Sequence, residues 1–438
     1  MEQGISRLSL FPSTAAINES GHLTIGGCDT VELTEEFGTP LYVFDELGLR
    51  SKCAEFKAEF GQRYPDTSVL YASKAFINKA LAFILREEGL GLDVVSGGEM
   101  GIAHSVDFPM DRVYFHGNNK SAEELRLALK WHIGRIVVDN FQELAMLSEI
   151  AGRRSHVPDI LLRISPGIDP HTHKYNTTGI VDSKFGFPFV KGEEAVAAAM
   201  SAPNLNLVGL HFHLGSLIFE VEPYRKAIEI ILDFAAAMKQ KYGFELRELD
   251  IGGGFAIQYT LDSPAPPISA YADLVASRVI GKCRELKLAL PLLVIEPGRA
   301  IVGQSGVALY KVGVIKDIPD VRCYASVDGG MGDNIRHALY GSKYEAIVAN
   351  KALEKEDGEV TIAGKFCESG DILIRDIKLP TLSPGDIIAL PDCGAYCLPM
   401  ASNYNAAFKP AVVLVKGGEA RLIRRRETLA DLIRYDLV

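Results

Sequence analysis

Short apolar and β-branched runs recur along the first two-thirds of this chain, each leading into a longer segment whose apolar residues repeat at helical spacing. Eight runs stand out: Ser68–Ala72, Gly91–Val95, Arg112–Phe115, Arg135–Val138, Asp159–Ile164, Leu207–His213, Glu248–Ile251 and Pro291–Ile295. Ser121–Lys130, Phe141–Ala151 and Pro223–Tyr242 are the clearest amphipathic helices between them. Eight strand and helix units predict a closed parallel (β/α)8 barrel of the TIM type. From Ser305 onward the texture changes to short alternating stretches, Ala308–Ile315, Val321–Val327, Glu359–Ile362, Ile387–Leu390 and Ala411–Val415, broken by Gly, Pro and Asp. These predict a second, mostly antiparallel β domain, and Gly21–Phe44 shares their texture. The expected organisation is residues 1–44 giving strands to the β domain, 45–304 forming the barrel, and 305–438 completing the β domain.

Polar, ionisable or glycine residues close each barrel run: Lys74; Asp93 before SGGE; His116-Gly-Asn; Asp139-Asn; Arg163-Ile-Ser; His213-Leu-Gly-Ser; Gly252-Gly-Gly; Glu296-Pro-Gly-Arg. The carboxyl ends of barrel strands share one face, so residues distant in sequence converge there on one pocket. Turn formation explains the glycines. It does not explain Lys, Asp, His, Glu and Arg at successive ends.

Composition narrows the partners. A net charge of −10 and no run of Lys and Arg give no footprint for nucleic acid, and no apolar stretch is long enough to span a bilayer. The seven cysteines lack zinc or disulfide-scaffold spacing and read as reduced thiols, which, with no signal-like start, predicts a cytoplasmic enzyme. No metal is expected.

Lysine at a strand end is a candidate for a covalent bond to an aldehyde cofactor, because a buried amine there loses its proton more readily than a solvated one. Gly252–Gly254 offers backbone amides that a phosphate can approach closely, although a triple glycine also serves as a plain turn. Glu296 and Arg299 read as either a salt bridge or an acid facing a pyridine nitrogen with a phosphate-binding guanidinium beside it. His213 is placed to lie against an aromatic ring and Ser216 to bond a phosphate; the alternative for a strand histidine is a core position.

Taken in order, YASKAF, DVVSGGE, HFHLGS, DIGGGF, EPGR, VDGGMGDNIRHALYG, CESGD and GAY closely resemble the pyridoxal phosphate-dependent decarboxylases of the alanine racemase-like barrel fold. More narrowly, they are similar to the diaminopimelate decarboxylase family, with the likeness running from about Gly21 through SNYN at Ser402–Asn405 to RRRET at Arg424–Thr428. The resemblance implies pyridoxal 5'-phosphate as cofactor, Lys74 as its Schiff-base lysine and Glu296 as the partner of its ring nitrogen. It places the phosphate among Ser216, Gly253, Gly254, Arg299 and Tyr396, stacks His213 on the ring and sets Asp93 nearby. It further implies a homodimer with shared active sites, in which CESGD of the partner chain supplies Cys367 as proton donor and Glu368. A thiol with an ordinary pKa of about 8.5 still holds its proton at neutral pH.

Substrate choice rests on later residues. By the same resemblance Arg299 and Arg336 grip a distal carboxylate, Glu368 holds the distal amine, and Tyr340 and Tyr396 join them. Bidentate arginine suits a planar carboxylate, and a substrate lacking that group would leave buried cations unpaired. The implied reaction is decarboxylation of meso-2,6-diaminopimelate to L-lysine, the last step of lysine biosynthesis. The alternative is another basic amino-acid or carboxynorspermidine decarboxylase of the same fold. A racemase would need a second base, and a non-catalytic relative would lack Lys74 or Cys367. The loop HTHKYNTTG with SKFGF also resembles the subfamily and is a candidate lid. Departures are Cys397, Leu398 and Pro399 after GAY and Ala300 after EPGR; Cys393 and Cys397, four apart, read as an incidental placement or a redox pair.

Overall fold

The computed structural model describes residues 6–153, 157–169 and 182–438 and divides the chain into two compact units. One comprises Cys53–Ala256 and Ala265–Gly298; the other comprises Met1–Lys52, Ile257–Pro264 and Arg299–Val438.

The first unit is a closed barrel. Its strands are β1 (Thr67–Ala72), β2 (Gly91–Val94), β3 (Val113–Phe115), β4 (Arg135–Val138), β5 (Asp159–Ser165), β6 (Asn206–His211), β7 (Glu248–Asp250) and β8 (Leu292–Ile295). Each pairs in parallel with the next, and β8 returns to β1 through Leu293↔Thr67 and Ile295↔Val69. All eight expected runs are strands. The helices form where the apolar period predicts them and carry the expected start signals: Ser121 caps Ala122–Lys130 through a capping box with Glu124, and Asn140 caps Phe141–Ala151.

Strand periodicity explains why this barrel has a dry floor and a charged top. Leu70, Tyr114, Val137, Leu161, Val208 and Val294 pack together as one buried layer. Successive inward residues are two apart along a strand, so the next positions toward the carboxyl ends are Ala72, His116, Asp139, Arg163 and Glu296. On β6 the register shifts between Leu207 and Gly209, an irregularity just before His211. Gly91 begins β2 where a Cβ would lie 2.3 Å from Leu70 Cδ2 and 2.4 Å from the Arg112 carbonyl oxygen, so no side chain fits.

The second unit is built on a mixed sheet. Leu41–Asp45 lies between Gly306–Ile318, antiparallel, and Ala411–Lys416, parallel. Gly306–Ile318 also pairs with Arg322–Val327 and Ile387–Leu390; Arg322–Val327 continues in parallel to Gly358–Ala363, which pairs with Ile372–Leu379. Leu41, Val43, Val307, Leu309, Ala389 and Val413 lie in its core. The strand Ile372–Leu379 comes directly after CESGD and was not expected from the pattern, because its solvent-facing positions interrupt the apolar alternation.

Candidate active site

At the carboxyl end of the barrel strands is a cavity of about 380 Å³ whose lining includes Lys74, His116, Arg163, His211, His213 and Glu296. Lys74 sits in the 3-10 turn Ser73–Ala75 immediately after β1, and its Nζ donates to Asp93 Oδ2 at 2.6 Å. The lysine side chain is 34% exposed and the aspartate 0%. The expected buried amine is therefore corrected: the turn carries Lys74 beyond the packed strand, so its amine faces the cavity while its carboxylate partner is fully enclosed.

Glu296 is buried beside two imidazoles, with His116 Nε2 2.8 Å from Oε1 and His211 Nε2 3.6 Å from Oε2. Burial works against its ionisation, but His116, 2.8 Å away, outweighs it and holds Glu296 well below the usual carboxylate range. Asp250 has the opposite fate: burial, and then the neighbouring Glu296 charge, push its carboxyl well above normal. The two buried acids near each other are thereby pushed in opposite directions, Glu296 toward its charged form and Asp250 toward its neutral one. Burial lowers His211 to about 3, so that ring is neutral at physiological pH.

His213 is also neutral, lowered first by burial and then by the Lys74 charge. Its Nδ1 accepts the N–H of Gly253 at 3.1 Å, which puts the ring proton on Nε2. The glycine run is a close approach rather than a loose turn. A Cβ on Gly253 would meet the Glu296 carbonyl oxygen at 2.2 Å, and one on Gly254, at φ +107°, would meet the Gly215 carbonyl oxygen at 2.6 Å. Ser216 lies in the segment after β6, just before the Ile218↔Phe255 bridge.

The remaining candidates belong to the β unit and fall into two groups. Arg299 begins the short helix Arg299–Val302, and its guanidinium lies 4.6 Å from the centroid of the Tyr396 ring, a residue at φ +61°. Arg336 is almost fully buried at the start of the helix Arg336–Tyr340, whose last residue, Tyr340, reaches Met400 Sδ at 3.9 Å. Cys367 and Glu368 form the second group and are exposed. Asn405 Oδ1 accepts the Cys367 backbone N–H at 3.0 Å, and the Tyr404 hydroxyl donates to Glu368 Oε1 at 2.8 Å. The candidate lid residues 171–179 lie outside the described residues.

Residues 48–303 match the family model described as "Pyridoxal-dependent decarboxylase, pyridoxal binding domain". The chain is 46% identical to the diaminopimelate decarboxylase of Bacillus subtilis (strain 168), over 97% of each chain, and 44% identical to that of Synechocystis sp. over 98% and 93%. The chain belongs to the pyridoxal-dependent decarboxylases. Within them it is a member of the diaminopimelate decarboxylase family. The solved diaminopimelate decarboxylase of M. jannaschii in co-complex with L-lysine superposes with a TM-score of 0.92 at 35% identity, covering 98% of both chains.

The residues of this decarboxylase fit pyridoxal phosphate. Asp93 Oδ1 and both His211 nitrogens are buried without a hydrogen-bond partner among the described residues, next to an amine and a stretch of glycine backbone too close-packed for side chains. Sequence patterns placed His116 and Arg163 at strand ends without giving them a role, and did not single out Asp250 or Glu99. His116, Arg163 and Asp250 could have been found as the polar residues two positions beyond an inward apolar or acidic one on β3, β5 and β7. Glu99 had no such signal, because it lies on the helix Gly97–His104.

Proposed function

We propose that this protein decarboxylates meso-2,6-diaminopimelate to L-lysine and carbon dioxide, the last step of lysine biosynthesis, as a cytoplasmic homodimer. The observation that carries this reading is the near full-length identity to diaminopimelate decarboxylases, 46% over 97% of both chains. Among the described residues no helix is long and apolar enough to cross a membrane.

Pyridoxal phosphate, when bound, supplies an electron sink for the pair of electrons left on the substrate α-carbon as carbon dioxide departs. Lys74 would hold it covalently through Nζ, and Asp93, 2.6 Å from Nζ, orients the lysine and balances its charge. Glu296, held below the usual carboxylate range, would keep a proton on the ring nitrogen, and His213, lowered by burial, would offer its flat face to the ring. Ser216, Gly253, Gly254, Arg299 and Tyr396 are assigned to the phosphate. Cys367 of a second copy delivers the proton to the α-carbon, and Glu368 of that copy pairs with the distal amine; the exposure of both residues in one chain supports this reading. Arg299, Arg336 and Tyr340 are assigned to the distal carboxylate.

Carbon dioxide release from meso-diaminopimelate, ornithine, arginine, lysine and carboxynorspermidine tests the substrate. Turnover of the first alone is expected. Turnover of ornithine without diaminopimelate would overturn the assignment.

A further inference from the structure

Tyr259 is buried in the β unit, and its phenol oxygen accepts two hydrogen bonds, from Arg299 Nη1 at 2.6 Å and from Arg336 Nη1 at 2.9 Å. A phenol oxygen has two lone pairs, so guanidinium donors take both. The ring also lies against the same two groups, its centroid 4.8 Å from Arg336 Cζ and 5.8 Å from Arg299 Cζ. Arg336 has a second anchor. Its Nη1 reaches the Tyr344 hydroxyl at 2.7 Å, and the Tyr344 ring stands edge-on to Tyr259 at 5.7 Å.

These anchors hold position without removing charge. Both are neutral phenols, and Arg336 Nε has no hydrogen-bond partner among the described residues. The neighbouring Asp392 is buried, neither of its oxygens has a hydrogen-bond partner among the described residues, and burial pushes its carboxyl well above the ordinary range against the pull of Arg336 and Arg299. A carboxylate in place of Tyr259 would satisfy both arginines and compete with any incoming anion. A phenol tethers both guanidiniums without bringing a negative charge of its own.

We propose that Tyr259 is a positioning residue for substrate selection: by tethering Arg299 and Arg336 to one oxygen, it sets the spacing at which the two guanidiniums take the distal carboxylate of the substrate. This rests on the reading that those arginines face that carboxylate. The residue itself touches neither substrate nor cofactor.

The test is Tyr259→Phe, which keeps the ring and its contacts with both guanidiniums and removes only the shared acceptor. The KM for meso-diaminopimelate and the inhibition constant of L-lysine, which retains the carboxylate, are expected to rise together by roughly 10- to 100-fold, with kcat within about threefold. Inhibition by cadaverine, which has no carboxylate, stays at the wild-type value. A wild-type enzyme that does not convert diaminopimelate overturns the underlying reading. Normal wild-type turnover with unchanged KM and lysine inhibition in Tyr259→Phe overturns the role of Tyr259 alone, as does a loss confined to cofactor affinity. If Tyr259→Phe does not fold, Tyr344→Phe removes the second anchor of Arg336 together with longer contacts to Asn334 and Cys397, and it should raise both constants by a smaller factor; no rise overturns the proposal.

Discussion

The Tyr404 hydroxyl donates to Glu368 Oε1 at 2.8 Å, and the adjacent Asn405 accepts the N–H of Cys367 at 3.0 Å, so SNYN braces CESGD from more than 30 residues away. Asn405 stands at φ +52° and Ala406 at φ +56°, and asparagine is among the few residues that tolerate that region. Asn405→Ala removes the acceptor and leaves a residue poorly suited to the backbone. Turnover is expected to fall several-fold while the visible absorbance of bound cofactor is unchanged, since the brace acts on the loop carrying Cys367. An equal loss of absorbance would point to a cofactor defect instead.

If Cys367 delivers the proton, Cys367→Ala lowers turnover by roughly 10²- to 10⁴-fold. Sharing of sites between two copies has its own test. Mixing inactive Lys74→Ala and Cys367→Ala proteins under subunit exchange should restore about a quarter of wild-type activity, because half the dimers are mixed and each has one intact site. No recovery despite demonstrated exchange would refute the shared site.

Lys74→Ala removes the amine paired with Asp93 and should abolish the visible absorbance of the cofactor-loaded enzyme. Lys74→Arg keeps the charge next to Asp93 but cannot form the covalent link. It should stay as stable as wild type in thermal melts and remain colourless.

Burial raises Glu99 to about 7, and the nearby Asp93 charge adds to this, while the Val95 N–H that Glu99 Oε2 accepts at 2.7 Å works the other way. An unfolded glutamate titrates near 4.3, so between about 4.3 and 7 the folded protein holds the extra proton. Stability therefore falls as pH rises through that window and levels off above it. Glu99→Gln retains an acceptor for Val95 and removes the titration. Relative to wild type, it should gain stability on going from pH 4 to pH 8, by at most about 3 kcal/mol, measured by denaturant melts at both pH values. A constant difference would show that Glu99 does not titrate in this range.

Gly254→Ala forces a Cβ at φ +107° to within 2.6 Å of the Gly215 carbonyl oxygen and 2.8 Å of the Tyr224 hydroxyl. The expected loss is roughly 2 kcal/mol or more of stability, together with weakened cofactor binding, read by thermal melts and by cofactor titration.

The barrel was legible because period-two alternation and helical spacing are local properties: each strand announces itself by its own side chains, and the polar residues at its end occupy the next few positions. Lys74, Asp93, Glu296 and the Gly252–Gly254 run were readable for that reason. Glu99 was not, because it lies on a helix where an acid is the ordinary choice for the first turn. The strand Ile372–Leu379 escaped because exposed positions break its alternation. Ile257–Pro264 was not readable either: it falls between two barrel strands in sequence yet packs with the β unit, carrying Tyr259 to Arg299 and Arg336.

By itself, the amino-acid sequence determined the order of strands and helices, the ionisable groups at the strand ends and, through its ordered motifs, the family. Only the tertiary structure decided which of those groups meet and in what charge state. Glu296 is held below and Asp250 above the usual carboxylate range because His116 faces the first, while burial and the charge of Glu296 bear on the second. Proton affinity depends on burial and on neighbours in space, and strands far apart in sequence become neighbours only when the barrel closes.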